Sequence, residues 1–390
     1  MARNKQSTQT KEQDIVVLEL NNYVKPVISE VSSKEWVLNG KNNSFFEYII
    51  ERYNGSPTNS AIINSFTEMI YGKGLKVKDG EDEEILKLFP KKELRKIISD
   101  FKLFGSASVQ VVYSKGSGAL RKVTGVYHIP RQTVVPEKMD EDGDINTYYY
   151  SRDWSKLRGK GNEPEPFPAF GTSKNAPIEI MIIEPYKAGK HYFADPDYLP
   201  SLQYAKLEEE ISNFAVSHIQ NGLSAGYILN FNNGVPDKGK RDIIKREIRE
   251  QLQGSSSAGN VIIAFNDNPD NAATIEPIPS NATHKQWEFW VSEARTQIMV
   301  GHRVISPMLF GIKDSSGLGN NANELETASK LLYGTVINPV QELLTDTFEM
   351  IIKVNNVDAD LYFEPLMTFI NEDGSKQEAD ETLQLKTDKK

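Results

Sequence analysis

DYLPSLQYAKLEEEISNFAVSHIQNG, residues 197–222, and KQWEFWVSEARTQIMVGHRV, residues 285–304, decide the fold of this chain. In the first, Leu202, Ala205, Leu207, Ile211, Phe214, Ala215 and Ile219 recur at helical spacing, and Asn221-Gly222 supplies a stop. In the second, Trp287, Trp290, Ile298, Met299 and Val300 mark a helix that Ser306-Pro307 breaks. One helix leading out to a small module and another leading straight back make a hairpin-like stalk. A lone pair of helices this long cannot bury its apolar faces within one chain, so the pattern predicts an assembly device. Phe214, Ile219, Trp287, Trp290 and Ile298 are the residues expected to pack it.

The module between them reads as strand, helix, strand, a compact α/β unit. Gly226 to Phe231 and Asn260 to Phe265 are the strands, and Thr274 to Pro277 is a candidate third. Asp237 to Leu252 is a highly charged helix. Its cations Lys238, Lys240, Arg241, Lys245, Arg246 and Arg249 suit a polar contact surface for exchangeable partners. A solvated helix face is the plainer account of any one of them. Beyond the second stalk helix lies a Gly/Asn-rich loop of Lys313, Asp314, Ser315, Ser316, Gly317, Leu318, Gly319, Asn320 and Asn321. Asn323 to Val354 then reads as a long helix that Pro339 kinks. Leu361 to Leu366 is a final strand.

Upstream, the period is first helical and then that of strands. Ser44 to Tyr53 and Ser60 to Tyr71 are helices joined by Asn54-Gly55-Ser56-Pro57, and Lys92 to Phe104 is a third, stopped by Gly105. Ser108 to Tyr113, Lys122 to Ile129, Thr133 to Glu137, Thr147 to Arg152 and Ile178 to Ile183 are strands rich in Val, Ile and Tyr. Ser155 to Pro177 reads as a loop. Runs of helices and runs of strands that do not alternate make the chain α+β. Polar residues 1–15 and the charged tail from Asn371 are expected to be disordered.

Composition narrows the function. The 390 residues are 38% hydrophobic and 25% charged, with a formal net charge of −9, a poor balance for tight binding to nucleic acid. No Cys is present, so no disulfide or thiolate-zinc site forms. No apolar run approaches the roughly 20 residues of a membrane span, and the polar start does not read as a secretory signal. Catalytic signals are missing too. Gly72-x-Gly74 and Gly116-x-Gly118 do not extend to a phosphate loop, and no GxSxG is present. His128, His191, His218, His284 and His302 have no metal-ligand spacing. Asp140 to Asp144 lacks the distal Glu of a calcium loop and reads as a hairpin turn. Trp287 and Trp290 read as packing residues rather than a platform for bases. No cofactor is expected.

The order of elements is similar to that of tailed-bacteriophage portal proteins over roughly residues 44–366. Gly105-Ser106-Ala107 before an extended run resembles the helix-Gly-strand step into that family's wing domain. Leu120 to Val135, with His128-Ile129-Pro130, resembles its strand-Pro-strand. Ala194 to Pro200 stands where its first stem helix opens, Gln220 to Gly226 resembles the way into its clip, and Ala258-Gly259-Asn260 the turn before the second clip strand. Gly301 to Gly311 resembles its exit from the second stem helix. The resemblance implies an N-terminal arm (1–43), a wing (44–196 and 323–366), stem helices (197–221 and 283–306), a clip (222–282), a tunnel-loop region (307–322) facing DNA at Lys313 to Asn321, and a tail (367–390). The short run after Leu366 implies little or no crown.

It further implies a ring, usually a dodecamer, at one capsid vertex of a virion assembled in the host cytoplasm. Double-stranded DNA passes through during packaging and ejection without sequence-specific binding. The implied partners are the large terminase, head-completion or adaptor proteins, the major capsid protein and further copies of the chain. Two other classes stay open: another phage head or adaptor protein, which would lack the stem-clip-stem order, and an enzyme using carboxylates such as Asp195 and Asp197. Those two flank Pro196 at a helix start, where Asp is an ordinary cap.

Overall fold

The computed structural model describes residues 28–29, 34–78, 83–157, 163–220, 228–231, 236–237, 239–244, 246, 262–265, 283–312 and 322–366. β1 (Ile28–Ser29) pairs antiparallel with β2 (Leu38–Asn39). Helices α1 (Ser44–Gly55) and α2 (Pro57–Tyr71) follow. The turn between them builds a helix start. Ser56 Oγ accepts from the Asn59 N–H at 3.2 Å, and Pro57 takes the first helical position, where its missing N–H costs nothing. Ile62, Ile63, Phe66, Met69 and Ile70 are all buried on α2, the face that their spacing predicts.

β3 (Leu75–Val77) leads to α3 (Lys91–Phe104). Gly105 closes α3 with φ 77° and an N–H bonded to Phe101 O, the left-handed cap that Gly adopts without strain. The strands come next: β4 (Ala107–Tyr113), β5 (Val123–Ile129), β6 (Val134–Pro136), β7 (Thr147–Tyr150), β8 (Glu165–Pro168) and β9 (Ile178–Ile183). They form two antiparallel three-stranded sheets, β5-β4-β9 and β6-β7-β8. Ile97, Ile98 and Phe101 of α3 share one core with Val109 and Val111 of β4. Asp140 turns the chain between β6 and β7: its Oδ1 accepts from the amides of Asp142 and Asp144 at 3.1 and 2.8 Å, a hairpin turn as the sequence reading has it.

Residues 155–177, expected to be a loop, contain β8, which is an edge strand of its sheet. Pro166 and Pro168 disguise it, since Pro is tolerated only at such edges. The same stretch is pinned by Glu179, fully buried on β9. Its carboxylate accepts from Tyr113 Oη at 2.6 Å, Arg121 Nη1 at 3.1 Å and the amides of Gly171 and Ser173 at 2.9 and 3.2 Å. Burial and this carboxylate push the Tyr113 hydroxyl pKa up, so it remains a donor.

The stalk is α4 (Leu202–Gln220) and α5 (Thr283–Gly301). Between them β10 (Ile228–Phe231) and β11 (Ile262–Phe265) pair in parallel, Ile228 opposite Ile262. Parallel strands need a crossover, and residues 239–244 and 246 between them are helical. The expected helix at Asn323 to Val354 is α6 (Ala322–Leu332), a π-turn (Tyr333–Ile337) and α7 (Asn338–Lys353). The irregularity falls just before Pro339, which occupies the first turn of α7. β12 (Leu361–Phe363) then pairs antiparallel with β3, three residues shorter than expected. Phe348, Ile351 and Ile352 of α7 are fully buried in the core that holds α2, α3 and β4. The first stem helix starts at Leu202, not Asp197, because Leu199–Ser201 form a 3-10 turn containing Pro200. The candidate strand at Thr274 to Pro277 lies outside the described residues.

A Cβ at Gly105 would stand 2.4 Å from the Asp195 carbonyl oxygen. Gly105→Ala is therefore expected to cost about 2–4 kcal/mol, the left-handed penalty plus a backbone clash. Urea unfolding checks this, and a loss under about 1 kcal/mol would refute the close approach.

Candidate functional site

The stalk grows from a socket in the body. Leu202 and Ala205 on α4, and Ala294 and Ile298 on α5, are at most 1% exposed. Further out the helices lose cover: Phe214 is 48%, Phe289 57% and Trp290 46% exposed. The helices run antiparallel. Gly301 faces Ser201, Arg295 Nε lies 3.8 Å from Glu208, and the Trp287 ring stacks on Phe214 at 4.5 Å. Gly301 is required at this crossing, since a Cβ there would meet Ser201 Cβ at 2.5 Å.

The root is held by charge. Glu208, 8% exposed, accepts from Ser56 Oγ at 2.5 Å, Thr58 Oγ1 at 2.6 Å and the Thr58 N–H at 3.2 Å. A carboxylate is thus seated on the N-terminus of α2, where unpaired amides and the helix dipole favour an anion. Next to it, Arg52 Nη1 donates to Glu209 at 2.7 Å. The α1–α2 turn therefore grips α4 through two consecutive carboxylates.

At the same root, His302 is fully buried. Its Nε2 stands 2.8 Å from Asn59 Oδ1, its ring stacks on Tyr198 at 4.2 Å, and its Nδ1 has no hydrogen-bond partner. Burial, with the Lys102 charge nearby, holds the imidazole pKa well below its usual value. Lys102 binds both oxygens of Asp197 at 2.9 Å, and Lys190 pairs with Asp195 at 2.8 Å. Burial lowers the Lys102 pKa against the pull of Asp197. Each candidate carboxylate is tied to an ammonium. Among the described residues, no three His, Asp or Glu side chains gather as a metal site.

Of the stalk residues singled out by sequence, Ile298 is core, Phe214 and Trp287 pair with each other, and Trp290 touches Phe289 in a T-shaped contact at 5.2 Å. Ile219 lies on α4. In the module, Asp237 starts the charged helix: its Oδ1 accepts from the Lys240 N–H at 3.0 Å. Lys240 and Arg246 are exposed and Arg241 is half-buried. Lys238, Lys245 and Arg249 lie outside the described residues, as do all nine loop residues from Lys313 to Asn321. Sequence reading missed the root itself. The Glu208-Glu209-Glu210 run looks like a solvated face, and the only signal was the Ser-Pro-Thr helix start left open to an anion.

Helices and sheets in this order, with a parallel two-strand module on a helical stalk, make an α+β chain. Among particular proteins, the chain resembles the probable portal protein of Escherichia phage P2. The two are 21% identical over 255 residues, which is 65% of this chain and 66%, just under two thirds, of that one. A chain from the virion of a native gene transfer agent particle is similar with a TM-score of 0.53 at 13% identity, covering 81% of this chain and 83% of that one. A chain from the neck of the native particle, computed with C12 symmetry, gives 0.50 at 14% identity over 80% and 82%. No family model matches the chain.

The folded chain keeps His302 neutral, whereas the unfolded chain protonates it once pH falls past 6.5. Its contribution is thus complete above that value and lost below it, by about 1.4 kcal/mol per pH unit until the folded site titrates. Urea unfolding at several pH values is expected to show this slope in the parent and a flatter one in His302→Phe. Parallel slopes would refute it.

Proposed function

We propose that this chain is the subunit of a phage portal: a ring at one capsid vertex through which double-stranded DNA is packaged and ejected. The observation that carries this reading is the uncovered outer stalk, where Phe214, Phe289 and Trp290 stand about half exposed on helices whose roots are fully buried. Aromatic faces of this kind are covered by a neighbour, and in a ring each stalk covers the next. The sequence similarity to a probable portal protein and the fold shared with a chain from a neck computed with C12 symmetry support it. Residues 44–196 and 323–366 serve as wing, α4 and α5 as stem, and 222–282 as clip. The clip's Lys240, Arg241 and Arg246 offer a polar face to a terminase and then to head-completion proteins.

The chain supplies no chemistry of its own, and packaging energy comes from a separate motor. Its net charge of −9 keeps phosphates from adhering to the wall. The loop from Lys313 to Asn321 faces the DNA: its Gly and Asn content lowers the cost of several backbone states, and it carries one Lys and one Asp.

Mass photometry of the purified chain in several salts is expected to show rings of one size class, and monomer alone in every salt would overturn the reading. Phe289→Ser with Trp290→Ser is expected to weaken assembly by about a hundredfold or more while leaving the circular dichroism unchanged, since each aromatic contributes about 1.5–3 kcal/mol when buried. Ile298→Asp is expected to abolish the fold itself, because Ile298 is fully buried within the single chain. Shortening the Lys313–Asn321 loop, or Gly317→Pro, is expected to leave rings intact and impair DNA retention. Failure to assemble would refute the loop's role.

A further inference from the structure

The carbonyl of Thr335 cannot take its α-helical bond. In an α-helix that oxygen accepts from the amide four residues on, and position 339 is a proline. The helix widens there, with Asn338 N–H bonded to Tyr333 O across the π-turn. A donor arrives from another element: Arg303 Nη2 reaches the Thr335 carbonyl oxygen at 3.0 Å. Thr335 Oγ1 is already engaged with Leu331 O at 2.7 Å.

Arg303 is itself held in an unusual conformation. It sits just past the end of α5 with φ 59°. Its N–H bonds Val300 O, and the next amide, Val304 N, bonds Met299 O, both at 3.0 Å. Gly or Asn ordinarily fills such a left-handed closing position, because a Cβ strains it. An arginine here gains what Gly cannot supply, a guanidinium aimed across to the break in the long helix. Pro339 removes the α-helical donor to Thr335, and Arg303 supplies a donor from outside the helix.

We propose that Arg303 is a strut coupling the stalk to the kinked helix, so that the rotation of the α5 end and the angle between α6 and α7 are set together. The strut stands on this chain's own geometry. That it makes stem and long helix move as one unit within a ring rests on the portal reading above.

A double-mutant cycle on the full chain tests it by hydrogen exchange. Arg303→Ala is expected to speed exchange of amides in the π-turn and the first turns of α7 by about tenfold, the scale of one hydrogen bond from a charged group. In the Pro339→Ala background residue 339 has an amide for Thr335, and Arg303→Ala should then change exchange by less than about twofold. Arg303→Lys, a donor without the planar fork, should fall between. The chain has no Cys, so spin labels on Glu326→Cys and Met350→Cys, diluted with unlabelled chain, report the α6–α7 angle. Their distance should shift or broaden with Arg303→Ala and return in the double variant. An equal effect of Arg303→Ala in both backgrounds, or none in either, overturns the strut. If Arg303→Ala alone does not fold, the double variant must; failure of both overturns it as well. Mass photometry of the same samples separates the outcomes, since absence of rings with an intact cycle refutes the portal reading alone.

Discussion

A carboxylate on one helix, seated over the start of another, holds the stalk to the body. Glu208 accepts three hydrogen bonds from Ser56 and Thr58, satisfying part of the α2 N-terminus that would otherwise be left without acceptors. A bond to a charged group of this kind contributes about 1.5–3 kcal/mol, and Glu209 with Arg52 adds a second tether on the next residue. These contacts fix the direction in which α4 leaves. The position of everything beyond, including the parallel pair β10–β11, follows from that direction.

The long helix closes the core. α7 brings Phe348, Ile351 and Ile352 into the core with α2, α3 and β4, and β12 then pairs with β3. Gln341 Nε2 donates to Ile70 O at 2.8 Å, so α7 is bonded to an early helix. The stalk is thus inserted between two segments of one body rather than appended to it. A displacement of its root has to be absorbed by α2 or by the α6–α7 break.

Root and tip of the stalk obey different rules. Near the body, Ala205, Ala294 and Ile298 exclude water within one chain, and the small residues Ser201 and Gly301 let the backbones approach. Toward the tip, large aromatics replace them and stay half exposed. That gradient distinguishes a stalk built to be flanked from a helical hairpin that is complete by itself.

Much of this was legible without coordinates. The apolar period of 202–220 and 285–304, the turn at Asn54-Gly55-Ser56-Pro57, the Gly105 stop and the β10–helix–β11 order are local patterns, encoded by side-chain spacing and by backbone preferences within a turn. They determined the α+β class and the stalk. What tertiary structure alone decided are the partners of the charges and the exceptions to the local rules. Ser56 and Glu208 are 152 residues apart, and nothing in a run of three Glu marks one as a buried helix cap. β8 looked like a loop because its prolines oppose strand formation everywhere except at an edge. Pro339 announced a break in the long helix, but not its form, a π-turn whose Thr335 carbonyl is reached by Arg303 from beyond the end of α5. Local sequence encodes the hydrogen bonds a segment makes with itself; those it makes across space exist only after the chain has packed.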